Sequence, residues 1–284
     1  MSRGKAPSLV FDNAQAPAKR HARRANDLDG AAWTRYSISV WDDLRKTADE
    51  IRWSHPAMFP SALVERLIDC FTNGQDEYVL DPFLGSGSTM LAAGRRQKTG
   101  IGLDISAEYI ELAGKRLAQS ALFGAPRKHR LIQDDARNLL AHAAADSVDF
   151  CVTSPPYWDI LSQKRTADYK AVRDYGGAPS DLSKIHDYEQ FLEALAEVFR
   201  LVLQVLRPGK YCVVNVMDLR KKDAFFPLHS DLARRLREAG WIHDDLIIWD
   251  RRSEYNNLRP LGYPCVFRIN KIHEYLLVLR KPRY

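Results

Sequence analysis

No CxxC pair occurs among the four cysteines of this 284-residue chain, Cys70, Cys151, Cys212 and Cys265. That argues against a zinc ribbon or a disulfide framework and fits a reducing cytoplasm. No apolar run approaches the span of a bilayer, which excludes a membrane protein. The N-terminus also lacks the apolar stretch of a secretory signal. No second histidine accompanies His273 at ligand spacing, and His186, His229 and His243 are scattered, so no metal site is expected. Repeats at solenoid or propeller spacing are missing as well. What remains is the composition of a globular protein, 45% hydrophobic and 27% charged. Its charge leans one way: 42 Lys and Arg against 36 Asp and Glu give a net +6, which favours a polyanionic partner.

Residues 1–30 read as a flexible basic arm. They mix Ala, Pro, Asn and Asp with the cluster Lys19, Arg20, Arg23 and Arg24 and show little apolar periodicity. Such an arm is either a solubilising tail or a segment that lies along phosphates. Residues 31–284 read as one domain, in which short apolar strands alternate with amphipathic helices. Strands are expected at Tyr78–Leu80, Ile101–Leu103, Arg130–Ile132, Val148–Val152, Tyr211–Val216, Trp241–Trp249 and Ile272–Leu279. Helices are expected at Thr89–Arg96, from Tyr109 to Leu117, from Phe191 to Leu206 and at Leu228–Ala239. The third of these carries Phe191, Leu192, Leu195, Val198, Phe199, Val202 and Val205 on one broad face, and Arg207-Pro208-Gly209 should stop it. The alternation predicts an α/β fold: a doubly wound, Rossmann-like, mostly parallel sheet with helices on both sides.

The first of those strands runs directly into Asp81-Pro82-Phe83-Leu84-Gly85-Ser86-Gly87-Ser88-Thr89 and then a helix. Glycines at such a turn let the backbone approach a ligand at the carboxyl edge of the sheet. The second strand ends in Asp104, from which a carboxylate reaches ribose hydroxyls. The third is followed by Asp134-Asp135, either of which can accept from an adenine amino group. No Lys follows the second glycine, as a phosphate loop requires, and Thr89-Met90 fall where a dinucleotide loop would place its third glycine. The expected ligand is therefore a nucleoside without a pyrophosphate.

The fourth strand ends in Thr153-Ser154-Pro155-Pro156-Tyr157-Trp158. Two prolines stiffen the turn and remove two donors. The Ser154 hydroxyl, the Pro155 carbonyl and the Tyr157 ring suit a planar heterocycle, stacked and held through its exocyclic amine. The competing reading is a stiff turn with its aromatics packed in the core.

DPFLGSGST followed by TSPPYW resembles the DNA amino-methyltransferases, which use S-adenosylmethionine (AdoMet) to methylate N4 of cytosine or N6 of adenine. The likeness extends over roughly residues 50–281. Further matches are Trp53-Ser54-His55-Pro56 to Phe59-Pro60, Gly102-Leu103-Asp104-Ile105-Ser106, Arg207-Pro208-Gly209-Lys210 and His273-Glu274-Tyr275-Leu276-Leu277. Ser before Pro-Pro-Tyr is similar to the cytosine-N4 branch; the adenine branch usually has Asp or Asn there. The resemblance implies a seven-stranded sheet with an antiparallel last strand. It implies that Phe83, Gly85 and Gly87 line AdoMet, with Asp81 near the amino-acid end, Asp104 on the ribose, Asp135 on the adenine, and His55, Pro56 and Phe59 against the methionine. Ser154, Pro155, Pro156 and Tyr157 would hold the target base. In that family the glycine loop often follows the catalytic segment. Here Gly85 precedes Ser154, the order of another permutation class, which leaves the location of the sequence-reading region open.

A paired base cannot present its amine, so the resemblance implies double-stranded DNA as partner and extrusion of the base. Trp158 is then a second aromatic, and grip on the duplex is expected from Lys164, Arg165, Lys170 and Arg173 and from Arg251, Arg252 and Arg268. The corresponding recognition inserts are approximately 159–186 and 250–268. Arg220-Lys221-Lys222 reads equally as a contact or a simple loop. Cys151 reads as packing, and Asp159 is a conceivable proton relay. Adenine N6, an RNA amine and a silent nucleic-acid-binding subunit are the alternatives. A cognate restriction endonuclease is a partner such an enzyme can have, in a prokaryotic or phage-infected cytoplasm.

Overall fold

The computed structural model describes residues 24–52, 59–121, 128–158, 181–221, 223–254, 265–266 and 268–283. Its first elements are α1 (Gly30–Tyr36), β1 (Val40–Trp41), α2 (Ala48–Arg52) and α3 (Ser61–Phe71). The alternating core follows with β2 (Tyr78–Asp81), α4 (Ser88–Arg95), β3 (Thr99–Asp104), α5 (Ala107–Ala121), β4 (Arg130–Gln133) and β5 (Val148–Thr153). The closing half holds α6 (Tyr188–Val205), β6 (Leu206–Val216), β7 (Leu219–Lys221), β8 (Ala224–Phe226), α7 (Leu228–Glu238), β9 (Ile242–Asp250) and β10 (His273–Arg280). No helix among the described residues is long and apolar enough to cross a membrane.

The main sheet runs β1-β9-β10-β6-β5-β2-β3-β4. All neighbours are parallel except β10, which is antiparallel to both β6 and β9. The expected antiparallel last strand is thus present. The expected count of seven becomes eight, because two-residue β1 adds to the edge of β9; so short a strand carries no alternation to read. From β2 the chain steps outward through β3 to β4, then crosses back to place β5 on the other side of β2. That reversal is the switch point at which ligands bind in such sheets.

Two apolar layers cover the sheet. One packs α6 and α7 through Phe191, Leu195, Phe199, Leu232 and Leu236. The other packs α3 through Leu63, Val64, Leu67 and Ile68, a helix that the sequence reading did not single out. Part of the expected arm is docked on this second layer: Asn26 Nδ2 donates to the Cys70 carbonyl at 2.9 Å. Residues 1–23 lie outside the described residues.

The expected stop after α6 takes an unexpected form. Helix α6 ends at Val205 and the chain enters β6 at once, so Arg207-Pro208-Gly209 lies inside a strand. Pairing slips there, from Val148↔Leu206 to Phe150↔Tyr211. Pro208 cannot donate to a ladder, and Gly209 takes φ 76°. Arg207 from this bulge ion-pairs with buried Asp149, whose other oxygen accepts from the Glu77 and Tyr78 amides at 2.8 and 2.9 Å. The amino edge of β2 is thereby tied to β5 and β6.

Candidate functional site

At the opposite edge, β2 turns into α4 through two glycines with left-handed φ, Gly85 at 52° and Gly87 at 82°. Gly85 lines a cleft at the tips of β2, β3 and β5. Its amide donates to Asp104 Oδ2 at 2.8 Å, and the Ser106 amide donates to Asp104 Oδ1 at 2.9 Å. Asp104 thus shapes the loop and faces the cleft together; burial raises its carboxyl above the ordinary range. Gly87 does not line the cleft. It is buried against α5, where an added Cβ would lie 2.8 Å from Ala113 Cβ, so its smallness serves helix packing.

Asp81 also departs from its expected place beside a ligand. It is fully buried behind the loop, accepting from Thr153 Oγ1 at 2.6 Å, Thr89 Oγ1 at 2.5 Å and the Phe83 amide at 3.1 Å. These bonds pin β2, β5 and α4 together at the switch point. Burial pushes its carboxyl up to about 6.

Phe59 and Phe83 line the cleft, as does Asp135. Asp135 caps a short 3-10 turn, Ala136–Ala141, and pairs with Arg137 at 2.6 Å. Asp134 takes up Asn138 Nδ2 and His142 Nε2, both at 2.7 Å, and does not line the cleft. His55 and Pro56 lie outside the described residues.

Two residues were missed by the sequence reading. Arg116 of α5 is buried and donates to the carbonyl and hydroxyl of Ser86, holding the glycine loop from behind. Asp181 lines the cleft; its Oδ1 accepts from the Ser183 amide at 2.9 Å, while its Oδ2 is buried without a hydrogen-bond partner among the described residues. An unpaired buried carboxylate oxygen costs free energy unless a donor reaches it, which marks Asp181 as ligand-facing. In sequence, an arginine on a helix or an aspartate before a short turn carries no such mark.

The Ser-Pro-Pro-Tyr turn brings Ser154 and Pro156 to the same cleft. Pro155 is buried, and Tyr157 keeps only 8% of its surface exposed. The Tyr157 ring therefore offers no open face for stacking; its hydroxyl lies 3.1 Å from Ser154 Oγ and donates to Glu274 Oε2 at 3.4 Å. Trp158, expected to meet the substrate, is 3% exposed. It packs against Tyr188 and Phe226 at 5.2 and 4.9 Å between centroids. Burial of their large apolar surface is the driving force that turns both rings inward.

Arg251, expected on DNA, is also turned inward. It pairs with Glu274 and, at 2.6 Å, with Glu254, and lies over the Trp249 ring. Two carboxylates on β10 and beyond β9 hold it more strongly than solvent-screened phosphates would. Arg252 remains exposed, 3.3 Å from Asp250. Lys164, Arg165, Lys170 and Arg173 lie outside the described residues, as does most of each expected insert.

The chain is similar to several DNA-modifying proteins. The Type II methyltransferase M2.LlaDCHI of Lactococcus lactis subsp. cremoris is 38% identical over 86 residues, 30% of this chain and 32% of that protein. The DNA adenine methyltransferase YhdJ of Escherichia coli is 34% identical over 116 residues, 39% of this chain and 38% of that protein. The chain thus spans about a third of the length of these curated relatives. Among solved structures, TTHA0409 of Thermus thermophilus complexed with S-adenosyl-L-methionine is 34% identical, covers 52% of this chain and 54% of its own, and has a TM-score of 0.38. The profile of D12 class N6 adenine-specific DNA methyltransferases matches residues 61–174. The profile of the DNA methylase family N6_N4_Mtase matches residues 2–115 and 148–284. With most of its length so matched, the chain belongs to this family of DNA methylases.

Proposed function

We propose that this protein is an AdoMet-dependent DNA methyltransferase that methylates N4 of a cytosine extruded from the duplex. The observation that carries the proposal is the meeting of two elements on one cleft: the loop held by Asp104 and the turn that presents Ser154.

The residues fit the cofactor. Asp104 accepts from ribose hydroxyls, Asp135 accepts from the adenine amine, and the unpaired Asp181 Oδ2 accepts a further donor. Phe59 and Phe83 give the cleft an apolar wall. Bound AdoMet supplies an electrophilic methyl group on a sulfonium.

On the acceptor side, the exocyclic amine is a poor nucleophile because its lone pair is delocalised into the ring. The Glu274 carboxylate can only accept, so Tyr157 donates to it and Ser154 in turn donates to Tyr157. This polarity leaves the Ser154 lone pairs for the amine N–H, which favours a pyramidal nitrogen with a localised pair. Alignment and electrostatics then do most of the work, and no covalent intermediate is needed. The released proton passes to water.

Ser154, in place of an acidic or amide side chain, supports cytosine. The D12 match over residues 61–174 favours a second reading, N6 of adenine. Labelled AdoMet, unmodified duplex DNA and mass spectrometry of the digested nucleosides test both. N4-methylcytosine is expected, and it should vanish in Ser154→Ala. N6-methyladenine would transfer the assignment to the second reading, and label in RNA alone would displace DNA.

A further inference from the structure

The segment after β6 forms an antiparallel hairpin, β7 and β8, with Leu219 opposite Phe226 and Arg220 opposite Phe225. Strand alternation gives it two unlike faces. On the inner face, Leu219 is 3% exposed and Phe226 packs against Trp158 and Tyr188, at 4.9 and 4.8 Å. Lys221 Nζ sits 4.0 Å from the Trp158 ring centre. Trp158 directly follows Tyr157, so the hairpin is fastened to the turn that carries Ser154. Because β5 and β6 are parallel, the hairpin and that turn leave the sheet at the same edge.

The outer face is built differently. Phe225 is 41% exposed, with the Arg220 guanidinium carbon 5.6 Å and Lys271 Nζ 5.0 Å from its ring centre. An ion pair of 2.9 Å between Arg268 and Asp223 holds the approach to β10 beside the hairpin. That approach exposes Ile269, at 64%. A large exposed aromatic flanked by cations is the arrangement that binds nucleic-acid strands: rings take bases and cations take phosphates.

We propose that Arg220, Phe225 and Lys271 form a DNA-strand contact, in which Phe225 stacks on an unpaired base and the two cations hold neighbouring phosphates. The inference rests on the proposed function and adds to it a surface that engages the strand opened by base extrusion. The net charge of +6 and the pairing of a cation, Arg220, with Phe225 on the outer face favour a polyanion over a protein partner.

Binding of the full-length protein to a short fluorescent single-stranded DNA of mixed sequence, followed by anisotropy across a salt series, tests this. Phe225→Ala should weaken binding about tenfold with the salt slope unchanged, and Phe225→Trp should retain parental affinity. Arg220→Gln combined with Lys271→Gln should lower the slope by about 0.7 for each phosphate no longer neutralised. Parental binding by Phe225→Ala, loss of binding in Phe225→Trp, or an unchanged slope in the double variant would each overturn the proposal. So would a concentration-dependent dimer of the parent that Phe225→Ala dissolves, since the face would then belong to a second copy. Methyl transfer to DNA by the parent, measured in parallel, keeps the two readings apart. A parent that binds through Phe225 without methylating sinks the enzyme reading alone. A methylating parent matched by Phe225→Ala in strand binding sinks only the proposed strand surface.

Discussion

Tyr157 Oη stands between Ser154 Oγ, at 3.1 Å, and Glu274 Oε2, at 3.4 Å. It joins the turn after β5 to the antiparallel strand β10. Glu274 is 5% exposed and also holds Asn215 Nδ2 and Arg251. Removing its charge strands part of Arg251, although Glu254 remains as a partner. Glu274→Gln should lower the unfolding free energy by about 3 kcal/mol in denaturant titration. It should also lower kcat at least tenfold while KM for AdoMet stays put. Tyr157→Phe, which removes the hydroxyl without opening a cavity, should show the same kcat loss at a stability cost of about 1 kcal/mol.

Cofactor affinity should depend on the acids that face the cleft and line it. Asp104→Ala removes both the proposed ribose acceptor and the bond to the Gly85 amide, and calorimetry should find AdoMet bound more than tenfold more weakly. Asp181→Asn should cost a smaller factor, about threefold to tenfold, because Oδ1 keeps its bond to Ser183 in the right rotamer. Equal binding by Asp104→Ala and the parent would remove this placement of the cofactor.

Gly87 carries both a left-handed φ of 82° and a close approach to Ala113. Gly87→Ala should destabilise the protein by about 2–3 kcal/mol, the sum of αL strain and overpacking. Gly30, which opens α1 with nothing within 4 Å, provides the control: Gly30→Ala should be neutral or mildly stabilising. Thermal unfolding of the two variants separates a general intolerance of alanine from this specific clash.

Asp81 gives a pH dependence with a definite sign. Burial raises its folded value to about 6 from 3.8, so the folded state binds the proton more tightly. Its contribution is fully present below the unfolded value and is lost as pH rises from about 4 to about 6. The loss amounts to roughly 3 kcal/mol at 1.36 kcal/mol per unit. The difference in unfolding free energy between Asp81→Asn and the parent, followed from pH 4 to pH 7, should therefore move in the variant's favour by that order. A difference that stays flat, or moves the other way, would refute the buried-acid account.

The alternation of strands and helices, the glycine loop, Asp104 and the Ser154 turn were all legible in the chain, because period and local turn chemistry are written in neighbouring residues. So was the antiparallel final strand, through the family likeness. The buried face of α6 was also legible from its period, but at the strand tips the amino acids alone did not say which way each side chain would face. Asp81 and Gly87 sit in the loop motif yet turn away from the cleft, toward Thr153 and Ala113, residues 72 and 26 positions further along. Trp158 and Arg251 looked like surface contacts and became buried partners of Tyr188 and Glu274. Conversely Arg116, Asp181 and the Phe225 hairpin face carry no local pattern; their roles arise only where distant segments meet. Sequence determined the elements and the chemistry available at each strand tip. Tertiary structure decided which of those groups remain open to a ligand, because burial and pairing depend on neighbours that the chain brings together only by folding.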